Sequence, residues 1–264
     1  MSGYNSGTLT QIHYVGHSTI AIDIGHIRVL TDPLLRDRLF FLQRHGPNPG
    51  PGLLADRPPD LVILSHLHYD HADLPSLRRL GRNTPLLAPR GTGRYLARST
   101  GLDVHEIAAG EKVAMADVEI TAMPAEHHRS FPSFRPMAAS LGYMLRNRLS
   151  VYFAGDTGLF EGMSDVGAEF DLDLALLPVW GYGPQVGAGH LTPLTAARAL
   201  TMLHPRVSVP IHWGALRYAG PHALWQQVDY MHTPPHAFAE YASRLAPETE
   251  VRVLQPGQST AIGE

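Results

Sequence analysis

The chain has 264 residues, of which 44% are hydrophobic, and its net charge is −3 with no lysine- or arginine-rich block. This composition provides a full hydrophobic core and argues against a nucleic-acid partner, because backbone phosphates are bound by clustered basic side chains. The lack of cysteine excludes disulfides and thiolate metal ligands. The sequence shows no N-terminal segment of basic residues followed by an apolar run, and no apolar run long enough to span a membrane, so we expect a cytoplasmic protein. We also expect one domain over residues 1–264.

The first part of the chain predicts a β-hairpin followed by a long connection. Alternating apolar residues over 20–29 predict the hairpin, which ends at a turn containing a proline at residues 31–33. Residues 34–59 have no regular pattern, and a connection of this length is usually functional or disordered. Its Phe40 and Phe41 could form a lid or an apolar wall beside a site, or could pack on the core or on a second subunit.

The rest of the chain alternates strand and helix patterns without a linker, a short-period repeat or a low-complexity tract. Thr192 and Pro193 mark a helix start, with threonine as the cap and proline in the first turn. Strands are also predicted at residues 8–14, 61–64, 86–88, 104–107, 118–123, 140–145, 149–154, 174–178, 207–211 and 250–254. Helices are predicted at residues 74–80, 91–99, 192–203 and 235–245. These patterns alone indicate only a mixed α and β fold.

The stretch Ser65-His66-Leu67-His68-Tyr69-Asp70-His71 carries four potential metal ligands directly after the buried strand 61–64. His66 and His68 are two positions apart and can project the same way from an extended backbone, whereas the adjacent Asp70 and His71 need a turn. The spacing therefore favours two ligand sets for two neighbouring metals. Imidazole and carboxylate suit zinc, iron or manganese. The alternative is a surface loop that is rich in histidine by chance.

The motif His66-x-His68-x-Asp70-His71 resembles the signature of the metallo-β-lactamase superfamily. Gly16-His17-Ser18-Thr19 and Leu30-Thr31-Asp32-Pro33 resemble the opening of the branch that includes N-acyl-phosphatidylethanolamine phospholipase D and ascorbate-6-phosphate lactonase. The resemblance implies an α+β fold, a four-layer αββα sandwich, with metals at one edge between its two sheets.

Three further ligand candidates stand at the ends of predicted strands, namely His127, Asp156 and His212. They match the later motifs of the superfamily in order, so the resemblance implies a full ligand set. One metal would be held by His66, His68 and His127, and the other by Asp70, His71 and His212, with Asp156 bridging the two. His128 competes with His127, but the spacing from Pro124 resembles the branch pattern and favours His127.

Several other residues allow two roles each. Asp32 could accept a hydrogen bond from a ligand histidine or only form the turn before proline. His190 resembles a histidine of the branch that could donate to the substrate or protonate a leaving group, and is otherwise a solvated loop residue. His17 could line the pocket or brace the hairpin. The remaining cases are arginines that could meet an anion or be solvated, Arg129 and Arg135, and aromatic residues that could wall the pocket or pack in the core, Trp180, Tyr182 and Trp213.

The resemblance implies a dinuclear metallo-hydrolase with two zinc ions, or alternatively Mn²⁺ or Fe²⁺. Two metals about 3.5–4 Å apart can share a water and lower its pKa toward neutrality, so that a bridging hydroxide attacks the substrate. We expect a small-molecule phosphodiester, lactone or related ester, which can be anionic, with catalytic roles for Asp70, Asp156 and His190. The sequence is compatible with a homo-oligomer.

The main alternative is a non-heme iron oxidoreductase on the same fold. Such relatives are expected to use one iron and not to need the second ligand set, so the presence of Asp70, His71 and His212 favours the hydrolase. RNA processing would need an added basic arm or domain, and a non-catalytic scaffold would be expected to lose ligands; the sequence has neither feature.

Overall fold

The computed structural model describes residues 9–127, 135–181, 186–187, 189–219 and 229–263. Within these ranges the strands form two seven-stranded β-sheets and a smaller sheet of three strands. The strands are β1 (Leu9–Gly16), β2 (Thr19–Ile24), β3 (Ile27–Thr31), β4 (Arg38–Leu39), β5 (Leu42–Arg44), β6 (Leu61–Ile63), β7 (Leu86–Pro89), β8 (Val104–Ile107), β9 (Lys112–Met115), β10 (Val118–Pro124), β11 (Leu141–Arg146), β12 (Ser150–Phe153), β13 (Leu174–Pro178), β14 (Val207–Ile211), β15 (Leu216–Tyr218), β16 (Glu250–Val251) and β17 (Ser259–Gly263). The helices are α1 (Gly50–Asp56), α2 (Leu74–Leu77), α3 (Gly93–Thr100), α4 (Gly162–Glu169), α5 (Pro193–Leu203) and α6 (Thr233–Leu245). None of these helices is long and apolar enough to span a bilayer.

Strand direction decides which loops lie at the same edge of each sheet. The first sheet has the order β17-β1-β2-β3-β6-β7-β8, in which β1, β3 and β6 point the same way because β2 is antiparallel to both of its neighbours. The second sheet has the order β16-β14-β13-β12-β11-β10-β9, in which β12 to β14 are parallel and β10 points with them. These seven strands therefore deliver their following loops to the carboxyl-terminal edges of the two sheets.

Two apolar cores explain how the layers stack. The larger core lies between the sheets, where Ile20 and Ile22 of the first sheet and Tyr143 of the second belong to one apolar cluster, and it continues beneath α4, α5 and α6. The smaller core covers the outer face of the first sheet with α1, α2 and α3, through residues such as Leu77 and Leu96. Central strands are buried on both faces, which is why β6 and β13 are continuous apolar runs. The predicted α+β fold with αββα layers is confirmed.

Hydrogen bonds join the two sheets beside the loop that follows β6. The hydroxyl of Tyr143 donates to the carbonyl of Leu64 at 2.8 Å. The backbone N–H of Leu141 donates to the carbonyl of Ser65 at 2.9 Å. Leu64 directly precedes the histidine-rich stretch and Ser65 is its first residue, so the start of that stretch is fixed against the second sheet as well as the first.

Helix α5 begins where the sequence predicts. The Thr192 side chain accepts a hydrogen bond from the backbone N–H of Thr195 at 3.2 Å, and the Thr195 hydroxyl accepts one from the backbone N–H of Thr192 at 2.7 Å. Pro193 occupies the first turn, where its missing N–H costs nothing. The reciprocal cap fixes the start of the helix directly after the loop that carries His190.

The prediction that residues 34–59 are irregular is wrong, because they contain β4, β5 and α1. The two strands have only two and three residues, which is too short for a periodic pattern to show in sequence. Phe40 and Phe41 form the turn between them and are 65% and 56% exposed, so they do not pack in the core. Phe40 instead contacts Tyr69 edge-on, with ring centroids 5.0 Å apart.

Four further elements have no counterpart in the sequence prediction, namely β9, β15, β17 and α4. β9 and β17 are edge strands in which Ile262 is the one buried residue, so neither has the apolar alternation of a half-buried strand. The predicted strand over 250–254 is shorter in the structure, where only the two residues of β16 pair with β14.

We expect Gly167→Ala to destabilise the fold where α4 meets α5. A Cβ at residue 167 would lie 2.1 Å from the carbonyl oxygen of Met202, which belongs to the backbone and cannot rotate away. Overpacking of this kind lowers the free energy of unfolding by about 3 kcal/mol, measured by urea denaturation. Gly52→Ala in α1 is the matched control, because a Cβ there meets nothing within 4 Å. The packing argument would be wrong if the two variants had equal stability.

Candidate metal centre

The loops that follow six similarly directed strands bring polar side chains together. Those of the first sheet carry His17 after β1, Asp32 after β3 and the histidine loop, defined as residues 65–71, after β6. Those of the second sheet carry His127 after β10, Asp156 after β12 and His212 after β14. Because each strand before these loops is largely buried, the side chains start from rigid positions. The seven residues predicted as ligands fall into two adjoining clusters.

The first cluster consists of His66, His68 and His127. Nε2 of His66 lies 2.9 Å from Nδ1 of His68, and Nε2 of His127 lies 3.0 Å from the same nitrogen. One atom from each ring therefore faces a common point, which is the arrangement that three histidine ligands of one metal require.

The second cluster consists of Asp70, His71, His212 and Asp156. Nε2 of His71 and Nε2 of His212 are 3.2 Å apart, and Oδ2 of Asp156 lies 3.1 Å from each. Oδ2 of Asp70 lies 3.6 Å from the His71 nitrogen and 3.9 Å from the His212 nitrogen. The potential metal-ligand atoms of Asp156 and His127 also lie within 4.8 Å of each other, so Asp156 lies between the two clusters.

The outward-facing nitrogens of these rings fix where the protons are. Nδ1 of His127 donates to the carbonyl of Gly189 at 2.9 Å, and Nδ1 of His212 donates to the carbonyl of Trp180 at 3.0 Å. A carbonyl can only accept, so in the neutral ring Nε2 is left with a lone pair. That lone pair points into the cluster in both residues.

Asp32 fixes two more rings through one carboxylate. Its Oδ2 accepts from Nδ1 of His71 at 2.7 Å and from the Ser65 hydroxyl at 2.5 Å, while its Oδ1 accepts from the Ser65 backbone N–H at 2.7 Å. Because the Ser65 hydroxyl donates to Asp32, Nδ1 of His66 at 2.9 Å must donate to that hydroxyl. Sequence reasoning proposed Asp32 and overlooked Ser65, although Ser65 directly precedes the first histidine.

These hydrogen bonds make the interior of the site a fit for cations. Three acceptor atoms face one another at 3.1–3.2 Å, namely Nε2 of His71, Nε2 of His212 and Oδ2 of Asp156. No hydrogen-bond donor is assigned between them. Oδ1 of Asp156 is buried and has no hydrogen-bond partner among the described residues. Buried acceptors that face each other are unfavourable unless a proton or a metal ion lies between them. The donor set of imidazoles and carboxylates suits zinc, iron or manganese.

The pKa directions agree with this description. Burial lowers the pKa of His66, His68 and His127, that of His68 to about 4, so the first cluster contains neutral imidazoles. Burial alone would raise the pKa of Asp156, but His212 and His71 hold it well below its usual range. Burial alone would lower the pKa of His71, but neighbouring carboxylates raise it well above its usual value, so a proton or a metal ion is favoured at its Nε2. The second cluster thus has the negative potential that attracts a cation.

His17 is buried against the second cluster. Its Nε2 donates to Oδ2 of Asp70 at 2.8 Å, and its ring lies 3.9 Å from the His212 ring, centroid to centroid. Its carbonyl accepts from the backbone N–H of His212 at 2.9 Å. Burial and the nearby His212 lower the pKa of His17 to about 3, so the ring is neutral. His17 therefore contacts two members of the cluster at once.

Backbone strain concentrates at the same place. Among the described residues, six other than glycine have positive φ, and three of them are His17, Asp32 and His212. Histidine and aspartate tolerate this conformation better than most residues, yet it still costs free energy. The surrounding packing and hydrogen bonds hold these residues in conformations that point their side chains into the site.

His190 lies beside Asp156, with its Nε2 3.4 Å from Oδ2 of that carboxylate. Its ring packs edge-on against the ring of His127, with centroids 4.6 Å apart. The side chain keeps 20% of its surface exposed, so it is neither a free loop residue nor sealed in the core. Burial alone would lower the pKa of His190, but the hydrogen bond to Asp156 raises it.

Arg135 holds the backbone of the histidine loop, and both roles suggested by sequence, solvated or facing an anion, are wrong for it. The side chain is buried, and its Nη1 donates to the carbonyls of Leu67 at 3.0 Å and Ala72 at 2.9 Å. It approaches the carbonyl of His68 at 3.4 Å, and its guanidinium lies 3.9 Å from the centre of the Tyr69 ring. The partners are mainly backbone groups, which no sequence pattern marks.

Other predicted site residues have varied outcomes. Trp213 is 1% exposed, stacks on Tyr14 with centroids 6.2 Å apart and belongs to the core. Trp180 is partly buried, and its carbonyl holds His212. The competing His128 and the suggested Arg129 and Tyr182 lie outside the described residues.

Similarity to known proteins agrees with the geometry. A family model described as "Beta-lactamase superfamily domain" matches residues 27–213, which include every donor of the two clusters. The chain belongs to the metallo-β-lactamase superfamily. A superfamily relative named as a metal-dependent hydrolase, from Opitutus terrae, is 30% identical over 258 residues, which cover 96% of this chain and 100% of the relative. An N-acyl-phosphatidylethanolamine-hydrolyzing phospholipase D of Caenorhabditis elegans is 28% identical over 223 residues, covering 76% of this chain and 63% of that protein.

Solved structures of the superfamily share the fold. Igni18, a metallo hydrolase from Ignicoccus hospitalis, matches with a TM-score of 0.72 and 22% identity, covering 96% of this chain and 98% of Igni18. CmlA, a diiron β-hydroxylase from Streptomyces venezuelae, matches with a TM-score of 0.64 and 19% identity, covering 100% of this chain and 55% of CmlA. The diiron hydroxylase corrects the expectation that an iron oxidoreductase on this fold uses one iron, so metal number alone does not separate the two reactions.

We expect Arg135→Met to weaken both the fold and metal binding. Removing the guanidinium leaves buried carbonyls of the histidine loop without a donor, which lowers the free energy of unfolding by about 2–3 kcal/mol in urea titrations. Zinc affinity, measured by competition with a chromogenic chelator, should fall with it. Arg82→Met, at an exposed arginine, is the control for loss of charge. Unchanged zinc affinity in the Arg135 variant would contradict the clamping role.

Proposed function

We propose that this chain is a hydrolase with two divalent metal ions, zinc in the first instance. His66, His68 and His127 would hold one ion, and Asp70, His71 and His212 the other, with Asp156 contacting both. The observation that carries the proposal is the convergence of ring nitrogens and carboxylate oxygens in both clusters while the outer nitrogens of His71, His127 and His212 are occupied by hydrogen bonds. Two adjacent sites of this composition suit hydrolysis assisted by a metal pair.

The ions supply a Lewis acid and a water of lowered pKa when bound. The protein's own part is to hold the ligands still and to handle protons. The Asp32 carboxylate and the carbonyls of Gly189 and Trp180 orient the histidine rings. Asp156 lies at the centre of the site, where its carboxylate is placed to orient the attacking water. His190, whose Nε2 lies 3.4 Å from Asp156, is placed to pass a proton to a leaving group.

The hydrolase is favoured over the iron oxidoreductase by relatives that match at the level of sequence. The relative from Opitutus terrae, named as a metal-dependent hydrolase, matches over its whole length, whereas the diiron hydroxylase supports only the fold. The substrate class we propose is an ester, lactone or phosphodiester. Hydrolysis under strictly anaerobic conditions distinguishes the two reactions, because a hydroxylase needs an oxidant and a hydrolase does not.

We expect His68→Ala and Asp156→Ala to abolish hydrolysis while largely preserving the fold. The first removes a donor of the first cluster and the second removes the carboxylate between the clusters. Turnover should fall by a factor of about 10³ or more, in line with losing a metal that stabilises the transition state. Circular dichroism checks the fold. His105→Ala and Asp171→Ala, at exposed positions, are matched controls; full turnover in either cluster variant would refute the mechanism.

We expect His17→Ala to weaken one metal site more than the other. Its hydrogen bond to Asp70 and its ring contact with His212 both act on the second cluster, and loss of such a supporting group costs about 10- to 100-fold in metal affinity. Stepwise zinc binding, followed by calorimetry, should show this loss in one step only. His17→Gln keeps an N–H for Asp70 and should recover part of it. Equal weakening of both steps would show a general structural role instead.

A further inference from the structure

A cavity of about 430 Å³ opens beside the first cluster. His66, His68 and His127 form its base, and one side is formed by residues 136–140, here called the wall. The volume lies within the range of about 300–1,000 Å³ that is usual for small-molecule sites. A group bound here would lie directly next to the donors at which hydrolysis is proposed.

The wall is almost entirely apolar. Pro136, Met137, Ala138 and Ala139 offer carbon and sulfur surface, and Ser140 offers a single hydroxyl. The described residues that line the cavity include no lysine, arginine, aspartate or glutamate. An ionic group lying against the wall would lose water without gaining a partner, which is unfavourable.

The arginine next to the wall in sequence does not supply the missing charge. Arg135 is buried, and its Nη1 is engaged by carbonyls of the histidine loop. Arg36, which lies on the connection after β3, forms a bidentate ion pair with Asp73. Neither guanidinium is among the residues that line the cavity.

We propose that the wall binds the non-reacting part of the substrate and that this part is an uncharged aliphatic group, such as the acyl chain of an ester or lactone. This inference rests on the proposed function, because it assigns the reacting group to the adjoining donors. The inference excludes substrates whose non-reacting part is anionic. Met137 is 83% exposed, and its flexible thioether suits aliphatic groups of different length.

The first test is binding of straight-chain hydroxamic acids to the zinc-loaded protein, measured by isothermal titration calorimetry. The hydroxamate head binds zinc and the chain extends along the wall, so affinity should rise about two- to fourfold per added methylene from aceto- to hexanohydroxamate. Glutaric acid monohydroxamate carries a carboxylate at the end of a similar chain and should bind at least tenfold more weakly than hexanohydroxamate. An affinity independent of chain length, no binding by any member, or preference for the carboxylate would overturn the proposal.

A charge change in the wall provides the second test. Met137→Lys places an ammonium at an exposed position of the wall, where the fold tolerates it, and should reverse the preference toward the carboxylate-ended chain. Val113→Lys makes a similar change at a 37% exposed residue of β9, an edge strand outside the cavity lining, and should leave the preference unchanged. Equal effects of the two variants would show that the wall does not contact the chain.

The two proposals fail in different ways. If hydroxamate affinity rises with chain length but no ester, lactone or phosphodiester is hydrolysed, the role proposed for the wall stands and the proposed hydrolase activity is refuted. If such substrates are hydrolysed but hydroxamate affinity does not depend on chain length, the proposed hydrolase activity stands and the role proposed for the wall is refuted.

Discussion

Buried acceptor atoms that face one another are the constraint on which this structure depends. His71, His212 and Asp156 place two ring nitrogens and a carboxylate oxygen 3.1–3.2 Å apart. Such an arrangement persists only when the rest of the fold enforces it and something positive relieves it. The enforcement is visible as an outer layer of acceptors, including Asp32 and the carbonyls of Gly189 and Trp180, which fix each proton on the far side of its ring.

The sandwich makes this possible because both sheets end at one edge. Strands with the same direction in each sheet deliver their loops there, and hydrogen bonds from Tyr143 and Leu141 fix the start of the histidine loop to the second sheet. The positive φ values of His17 and His212 show that the backbone departs from relaxed conformations where the two sets of loops meet. Stability gained in the cores offsets this local cost.

The sequence is informative where chemistry and buried strands coincide. The histidine loop could be identified because its ligands directly follow the apolar strand β6, and His127, Asp156 and His212 because each follows another buried strand. The short strands β4 and β5 could not be identified, since two or three residues show no periodicity. The buried position of Arg135 could not be predicted, because its partners are mainly backbone carbonyls, and carbonyls are the same at every residue. Ser65 was overlooked because its contribution depends on the positions of Asp32 and His66 in space.

The donors come from both halves of the sandwich, with His66 and Asp70 on loops of the first sheet and His127 and His212 on loops of the second. A cation bound between them would therefore link the two sheets in addition to taking part in the reaction. Binding energy that the folded state gains and the unfolded chain does not is added to its stability. In a metal-starved cell the protein would lose activity and resistance to proteolysis together, so its abundance would follow the metal supply.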